Sequence, residues 1–142
     1  PPNWACRSAC AWSASHSRAS IPRSWGIGPV PATEKLLART GLTIEDIGLF
    51  EINEAFAVQV LAFLEHFGIA DDDPRATSGG GAIACGHPLA SSGVRLMTQL
   101  SRQFAQNPDV RYGLTTMCIG LGMGGSVIWE NPNHADYQAG VK

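Results

Sequence analysis

The 142-residue sequence predicts an α/β fold in which helices cover a sheet. An apolar run over residues 47–52 is typical of a buried strand. Helical patterns flank that run, and two strand-like stretches joined by glycines, residues 111–119 and 125–129, follow towards the C-terminus. Strands that alternate with helices in this way indicate a layered arrangement.

Helices are predicted over residues 31–40, 53–67 and 88–105, because apolar side chains recur there at helical spacing and glycines or prolines mark the ends. Residues 82–84 are predicted to form a short strand or an extended passage. Thr43 is predicted to cap a short turn, since acidic residues follow it. These elements together predict one domain.

Residues 1–25 differ in composition from the rest, and we set them apart as an irregular segment unrelated to the predicted domain, residues 26–142. They contain three arginines and no acidic residue, whereas the remainder has seven basic and twelve acidic residues, a net charge of −5. Three interpretations stay open. The segment resembles a transit peptide in its Arg and Ser content, it fits a disordered linker in its serines, and the abrupt change favours an unrelated N-terminus.

The overall composition excludes several classes of function. A formal net charge of −2 gives no attraction for nucleic acid, and no apolar run is long enough to span a membrane. The four cysteines form no C-x-x-C pair and no secretory signal is visible, so we expect reduced thiols and a cytoplasmic location. Charged residues make up 15%, which is typical of a piece that packs against another chain or of a glycine-rich, loop-heavy domain.

His87 is the first candidate catalytic residue, because it lies between Gly86 and Pro88 in a glycine-rich segment, residues 79–88. Pro88 is predicted to open a helix, and the positive end of a helix dipole favours a neutral imidazole. A neutral histidine can accept a thiol proton and so produce a nucleophilic thiolate. The alternative is a capping or core histidine. Cys85 and His87 have no second ligand pair at zinc spacing, so we expect no metal site.

Cys118 is the second candidate, because it ends a predicted strand and glycines follow it. A thiol in that position can project into a cleft, where neighbouring amides can face an oxyanion. The alternative is a buried, inert cysteine. Gly120, Gly122 and Gly125 also match G-x-G-x-x-G, but a strand follows them, which argues against dinucleotide binding.

Asn53 is the third candidate, since it follows the apolar strand and opens a predicted helix. Its amide can cap that helix, or it can fix a water or a carbonyl group. Glu54 is predicted to complement the helix dipole rather than to act as a base.

These segments, in this order, resemble the thiolase family. Its C-terminal half carries N-E-A-F, then G-G-A-I-A-x-G-H-P, then C-x-G, which correspond here to residues 53–56, 80–88 and 118–120. Residues 26–32 resemble the start of that domain. The resemblance runs to about residue 130 and implies the C-terminal domain of a layered αβαβα fold, with a mixed sheet covered by helices.

The resemblance also implies a role for each residue. His87 would activate a nucleophilic cysteine and help to hold the thioester oxygen. Asn53 would position a water in the same oxyanion site, and Cys118 would move the proton on the α-carbon. The amide of Gly120 would line a second oxyanion site. The reaction would be cleavage of 3-ketoacyl-CoA by CoA in fatty-acid β-oxidation, or the reverse condensation of acetyl-CoA, with CoA as a substrate and no cofactor.

Three departures from the family pattern matter. The half that carries the acylated nucleophile is missing, and neither Cys6 nor Cys10 lies in a segment that resembles it. We therefore expect the chain alone to be inactive, with the missing N-terminal half as a partner and the full protein as a homo-oligomer. Thr77 also stands where asparagine is usual, and Cys85 where leucine is usual. The alternative is a non-catalytic acyl-CoA- or lipid-binding relative, or a vestigial fragment.

Overall fold

The structure, a computed structural model, describes residues 9–11, 26–77 and 79–137 of the chain. Four strands and four helices make up this part. The strands are β1 (Ala9–Ala11), β2 (Ile47–Ile52), β3 (Tyr112–Gly120) and β4 (Met123–Glu130). The helices are α1 (Pro29–Thr40), α2 (Ala57–His66), α3 (Ala82–Cys85) and α4 (Ser92–Gln106). None of the described helices is long and apolar enough to cross a membrane.

The strands form one mixed sheet in the order β1-β4-β3-β2. Strands β2 and β3 are parallel, whereas β4 is antiparallel to both β3 and β1. The mixed α/β architecture that the sequence and the family resemblance predicted is confirmed.

Apolar side chains are buried on both faces of the sheet, because β2 alternates its residues between the two. Phe50 joins Leu36 of α1 and Phe63 of α2 in the larger cluster, and all three are almost fully buried. Its neighbour Leu49 packs against Leu100 and Phe104 of α4 on the other face. Burial of each such side chain contributes about 2 kcal/mol, so these contacts fix α1 and α2 on one face and α4 on the other.

Local signals account for α1 and the turn that follows it. The helix begins at Pro29, where proline has no amide to leave unpaired, and Gly41 ends it with φ of 71°. The amide of Thr43 then donates to Asp46 Oδ2 at 2.8 Å, which closes a short 3₁₀ turn. The predicted cap at Thr43 is confirmed.

Residues 75–77 run beside β2 in the same direction as that strand. The amide of Phe50 donates to the carbonyl of Arg75, and the amide of Thr77 donates to the carbonyl of Phe50, both at 2.7 Å. The Arg75 guanidinium, 2.7 Å from Asp73, holds the pKa of that carboxyl below its usual value. The glycine-rich segment that carries His87 therefore starts at the same sheet end as the residues after β2.

The predicted helix over residues 53–67 begins four residues later, at Ala57. Phe56 has an extended backbone, and the Asn53 amide still donates to the Thr116 carbonyl of β3 at 2.9 Å. Sheet pairing thus continues past the end of β2 and delays the helix. Of the two roles left open for Asn53, helix capping is therefore excluded, and the predicted place of Glu54 in the first helical turn is wrong.

Two further segments differ from prediction. Residues 82–85 form the short helix α3 instead of a strand or extended passage, because Gly80, with φ of 79°, lets the chain turn and Gly86, with φ of 90°, ends the helix. Helix α4 begins at Ser92 rather than at Pro88. The Pro88 carbonyl accepts hydrogen bonds from the amides of Ser91 and Ser92, so a separate turn precedes the helix.

Strands β3 and β4 form a hairpin that is longer than predicted. Leu121 and Gly122 connect them with φ of 52° and 78°. Two successive positive φ angles are typical of the two-residue turns that match the twist of paired strands. The G-x-G-x-x-G match is therefore part of a hairpin, and the prediction that a strand follows it is confirmed.

Strand β1 lies inside the segment 1–25. Ala9 pairs with Ile128 of β4, so three residues of that segment take part in the sheet, which the expected irregularity did not predict. The other residues of the segment, including Cys6, lie outside the described residues. The boundary at residue 26 stays a prediction.

Candidate active site

The carboxyl ends of two parallel strands bring three of the four candidate residues to one edge of the sheet. Asn53 follows β2 directly, while Cys118 and Gly120 lie at the end of β3. Residues 75–77 run parallel to β2, so the segment that carries His87 leaves from the same edge. Crevices at the carboxyl ends of parallel strands are common ligand sites in α/β proteins.

Asn53 and His87 are in direct contact. The distance from Asn53 Nδ2 to His87 Nε2 is 3.3 Å, and the Asn53 side chain is only 1% exposed. His87 is half-buried, so its imidazole lies between the buried amide and solvent.

The other nitrogen of the His87 ring contacts the first residue of α4. Nδ1 lies 2.6 Å from the Ser92 hydroxyl, which is fully buried and also donates to the Pro88 carbonyl at 3.2 Å. The predicted location of His87 near a helix N-terminus is thus confirmed, although the helix starts later than expected.

Arg95, one turn further along α4, contacts the opposite side of the Asn53 amide. Its Nη2 donates to Asn53 Oδ1 at 3.3 Å, and its Nη1 donates to Gln99 Oε1 at 3.4 Å. Sequence reasoning missed both Ser92 and Arg95. The available signal was their spacing of three, which puts them on one face of the helix that follows His87.

Glu54 supports the segment that leads to His87. Its Oε2 accepts a hydrogen bond from the Ile83 amide in α3 at 3.0 Å. A Cβ at Gly81 would collide with the Glu54 carboxylate in its present position, so a larger residue there would displace that side chain. Glu54 therefore anchors the start of α3 instead of the start of α2.

Cys118 lies at the end of β3, half-buried and with a free thiol, and pairs across the hairpin with Gly124. The preceding Met117 has its sulfur near Gly93 of α4, whereas Thr116 bonds the Ser126 hydroxyl on the α1 side. Strand alternation therefore gives Cys118 the α1 side, and the pairing becomes irregular between Cys118 and Gly120. His87 contacts α4, on the other side of the sheet from Cys118. The two side chains can therefore meet only beyond the carboxyl end of β3.

The described hydrogen bonds thus join Asn53 to His87 but not to Cys118 or Gly120. Gly120 is exposed, with φ of 92°. The structure brings Asn53 and His87 together and leaves Cys118 and Gly120 at the same edge on the neighbouring strand.

Glu51 is a buried acid within residues 47–52, the run that was predicted to be an apolar strand. It is fully buried two residues before Asn53, so both side chains face α4. Burial raises the pKa of Glu51 from 4.5 to about 7, while a hydrogen bond of 2.7 Å from Gln103 and the charge of Arg95 act against that rise.

Comparison with known proteins places this arrangement in a family. Residues 8–131 match the family model described as "Thiolase, C-terminal domain". The chain is 51% identical over 110 residues to the 3-ketoacyl-CoA thiolase of Photobacterium profundum, covering 77% of this chain and 28% of that protein. It is 50% identical over 109 residues to the 3-oxoadipyl-CoA/3-oxo-5,6-dehydrosuberyl-CoA thiolase of Escherichia coli, covering 77% and 27%.

A solved structure shows the same fold. The peroxisomal 3-ketoacyl-CoA thiolase of Saccharomyces cerevisiae matches with a TM-score of 0.68 and 43% identity, over 75% of this chain and 30% of that one. That protein is described as a five-layered A-B-A-B-A structure built from two core domains of identical topology. The present chain spans under a third of each of these relatives. It belongs to the thiolase family, and the part of the family that it carries is the C-terminal domain.

Proposed function

We propose that this chain is the C-terminal part of an acyltransferase that cleaves 3-ketoacyl-CoA with CoA in fatty-acid β-oxidation, and that condenses acetyl-CoA in the reverse direction. Coenzyme A is a substrate, and no other cofactor takes part. The observation that carries the proposal is the contact between Asn53 and His87, at the sheet edge where β3 delivers Cys118. Names of relatives at about half identity support the same chemistry.

His87 acts as the base that activates the nucleophile. A thiol supplied by the N-terminal part of the enzyme gives its proton to the imidazole, and the thiolate attacks C3 of the 3-ketoacyl-CoA. The Gly120 amide then stabilises the oxygen on C3, which becomes negative as the thiolate attacks.

Cys118 handles the proton on carbon. When the C2–C3 bond breaks, its electron pair passes to C2, and the Cys118 thiol protonates that carbon to give acetyl-CoA. The Cys118 thiolate next takes the proton of free CoA, whose sulfur attacks the acylated nucleophile. The released thiolate recovers its proton from His87. While C2 carries the electron pair, His87 and a water held by the Asn53 amide stabilise the enolate oxygen of the thioester.

The setting of the reaction follows from the same reasoning. Cys85 and Cys118 are free thiols, which supports a reducing compartment such as the cytoplasm. The N-terminal thiolase part is the required partner, and the complete protein is a homo-oligomer. Alone, this chain lacks the nucleophile that the proposed mechanism needs, so we propose that it is inactive.

A chimera tests the proposal. Residues 26–131 of this chain replace the matching segment of the Photobacterium profundum 3-ketoacyl-CoA thiolase, and thiolysis of a 3-ketoacyl-CoA is followed by the loss of substrate absorbance. The chimera should turn over, whereas the 142-residue chain alone should not. A folded chimera that binds CoA without turnover would support the alternative, a non-catalytic acyl-CoA- or lipid-binding or vestigial domain.

A further inference from the structure

The orientation of the Asn53 amide is fixed by Arg95. A guanidinium group only donates hydrogen bonds, and Nη2 of Arg95 lies 3.3 Å from Oδ1 of Asn53. Rotation of the amide by 180° would place its NH₂ group against another donor. Because Asn53 is 1% exposed, water has little access to relieve that mismatch. The amide nitrogen must therefore face His87.

The orientation of Asn53 in turn dictates which ring nitrogen of His87 carries the proton. Nδ2 of Asn53 only donates, so Nε2 of His87, at 3.3 Å, has to accept and be unprotonated. A neutral imidazole then has its proton on Nδ1, 2.6 Å from the Ser92 hydroxyl. That hydroxyl accepts the Nδ1 proton because it gives its own proton to the Pro88 carbonyl at 3.2 Å.

The four hydrogen bonds form one directed chain from Arg95 through Asn53, His87 and Ser92 to the Pro88 carbonyl. Every donor in it faces an acceptor, and its two inner anchors, Asn53 and Ser92, are almost completely buried. The opposite tautomer would set two donors against each other at Nε2 and would leave Nδ1 facing a hydroxyl already committed to Pro88.

We infer that Ser92 and Arg95 are positioning residues that hold His87 as the Nδ1–H tautomer, with the lone pair of Nε2 available as the proton acceptor. Neither residue needs to touch the substrate. The consequence for catalysis rests on the proposed function, since only an unprotonated Nε2 can take a thiol proton. The tautomer itself is a property of this chain and can be measured without any turnover.

The experiment is a long-range ¹H–¹⁵N correlation spectrum of the ¹⁵N-labelled 142-residue chain at neutral pH. A His87→Gln spectrum identifies the His87 signals among those of the four histidines. The unmodified chain should show Nδ1 protonated and Nε2 unprotonated. Ser92→Ala and Arg95→Met should each lower the ratio of the Nδ1–H to the Nε2–H tautomer about tenfold, the effect expected when one hydrogen bond is removed.

Matched controls separate positioning from a general loss of structure. Ser92→Thr keeps the hydroxyl, and Arg95→Lys keeps a side chain that only donates, so both should retain the parent tautomer. Ser91→Ala removes a hydroxyl that bonds the same Pro88 carbonyl without a bond to His87, and it should also leave the tautomer unchanged. Arg102→Met removes an exposed arginine of α4 and serves as the control for Arg95→Met.

An Nε2–H tautomer in the unmodified chain would overturn the inference. So would parent ratios in both Ser92→Ala and Arg95→Met when their backbone amide spectra match the parent. If one variant unfolds, the other decides, and if both unfold, the tautomer of the unmodified chain decides. If the chimera is inactive while the unmodified chain shows the Nδ1–H tautomer, only the proposed function is rejected. If the chimera is active while the unmodified chain shows the Nε2–H tautomer, only this inference is rejected.

Discussion

Asn53 and His87 lie 34 residues apart in the sequence, and yet Nδ2 of one is 3.3 Å from Nε2 of the other. Two separate elements create this contact. Asn53 is held by the backbone of β3, whereas His87 is held by the first residue of α4. The contact therefore depends on how α4 packs on the sheet.

Asn53→Ala should lower kcat of the chimera about a hundredfold, because a buried amide donor next to a developing oxyanion contributes roughly that factor. Steady-state thiolysis at saturating CoA measures it. Gln106→Ala, which removes an exposed amide at the last residue of α4, is the control and should keep parent activity. Parent kcat in a folded Asn53→Ala chimera would exclude a catalytic role for this amide.

Cys118→Ala should abolish proton exchange on the α-carbon of acetyl-CoA, because the proposed acid and base is removed. The exchange can be followed by proton NMR of acetyl-CoA in D₂O with the chimera, and a loss of about a thousandfold is expected. The matched control is Cys85→Ala, since Cys85 is an exposed thiol two residues before His87 whose sulfur donates to the Gly81 carbonyl. Proton exchange that survives Cys118→Ala but is lost in Cys85→Ala would show that Cys85, not Cys118, is the acid and base.

Glu51 should make the chain less stable as the pH rises. Its pKa is about 7 in the folded chain against 4.5 when exposed, so the folded state binds the proton more tightly. The stabilisation is complete below about pH 4.5 and is lost as the pH passes through 7. Glu51→Gln removes this dependence and should raise the free energy of unfolding at about pH 8 by up to ~3 kcal/mol.

Urea unfolding of the 142-residue chain between about pH 5 and pH 8 measures the effect. Glu45→Gln, at an exposed position before β2, should keep the pH dependence of the parent chain. An equal slope in Glu51→Gln and in the parent would show that Glu51 does not change its protonation over this range.

Gly28 and Gly124 let α1 approach β4 through direct backbone contact. A Cβ at Gly28 would collide with the backbone of Met123 and Gly124, and a Cβ at Gly124 would collide with Gly28. Gly28→Ala should therefore lower the free energy of unfolding by about 3 kcal/mol. Gly26→Ala is the matched control, because a Cβ there would meet only Gln59 side-chain atoms at 3.9 Å, an ordinary contact. Urea midpoints of the two variants should differ clearly, and equal midpoints would mean that the backbones have room to separate.

The sequence predicted the elements whose causes are local. Strand β2 follows from its own apolar run. Helix α1 follows from the proline at its start and the glycine directly after its end. The start of α2 was missed because β3, more than sixty residues away, holds the Asn53 amide. Ser92 and Arg95 were missed for the same physical reason, since polar residues on a helix show no role until their partners are placed beside them.

Thr77 should be a site of strain, and Thr77→Asn should relieve it. Its φ is 44°, a left-handed conformation that β-branched residues disfavour and asparagine tolerates. Two hydrogen bonds hold Thr77 in this conformation. Its amide donates to the Phe50 carbonyl, and its hydroxyl accepts from the Ile52 amide at 3.4 Å. Thr77→Asn should raise the free energy of unfolding by about 1 kcal/mol, as measured by urea unfolding.

A second substitution separates strain from side-chain chemistry at this position. Thr77→Gly also removes the conformational penalty, but it loses the oxygen that bonds Ile52 and adds freedom to the unfolded chain, so it should gain less than Thr77→Asn. Thr77→Val keeps the branched side chain without the hydroxyl and should be the least stable of the series. A Thr77→Val chain as stable as Thr77→Asn would show that backbone strain at residue 77 does not limit the stability of the fold.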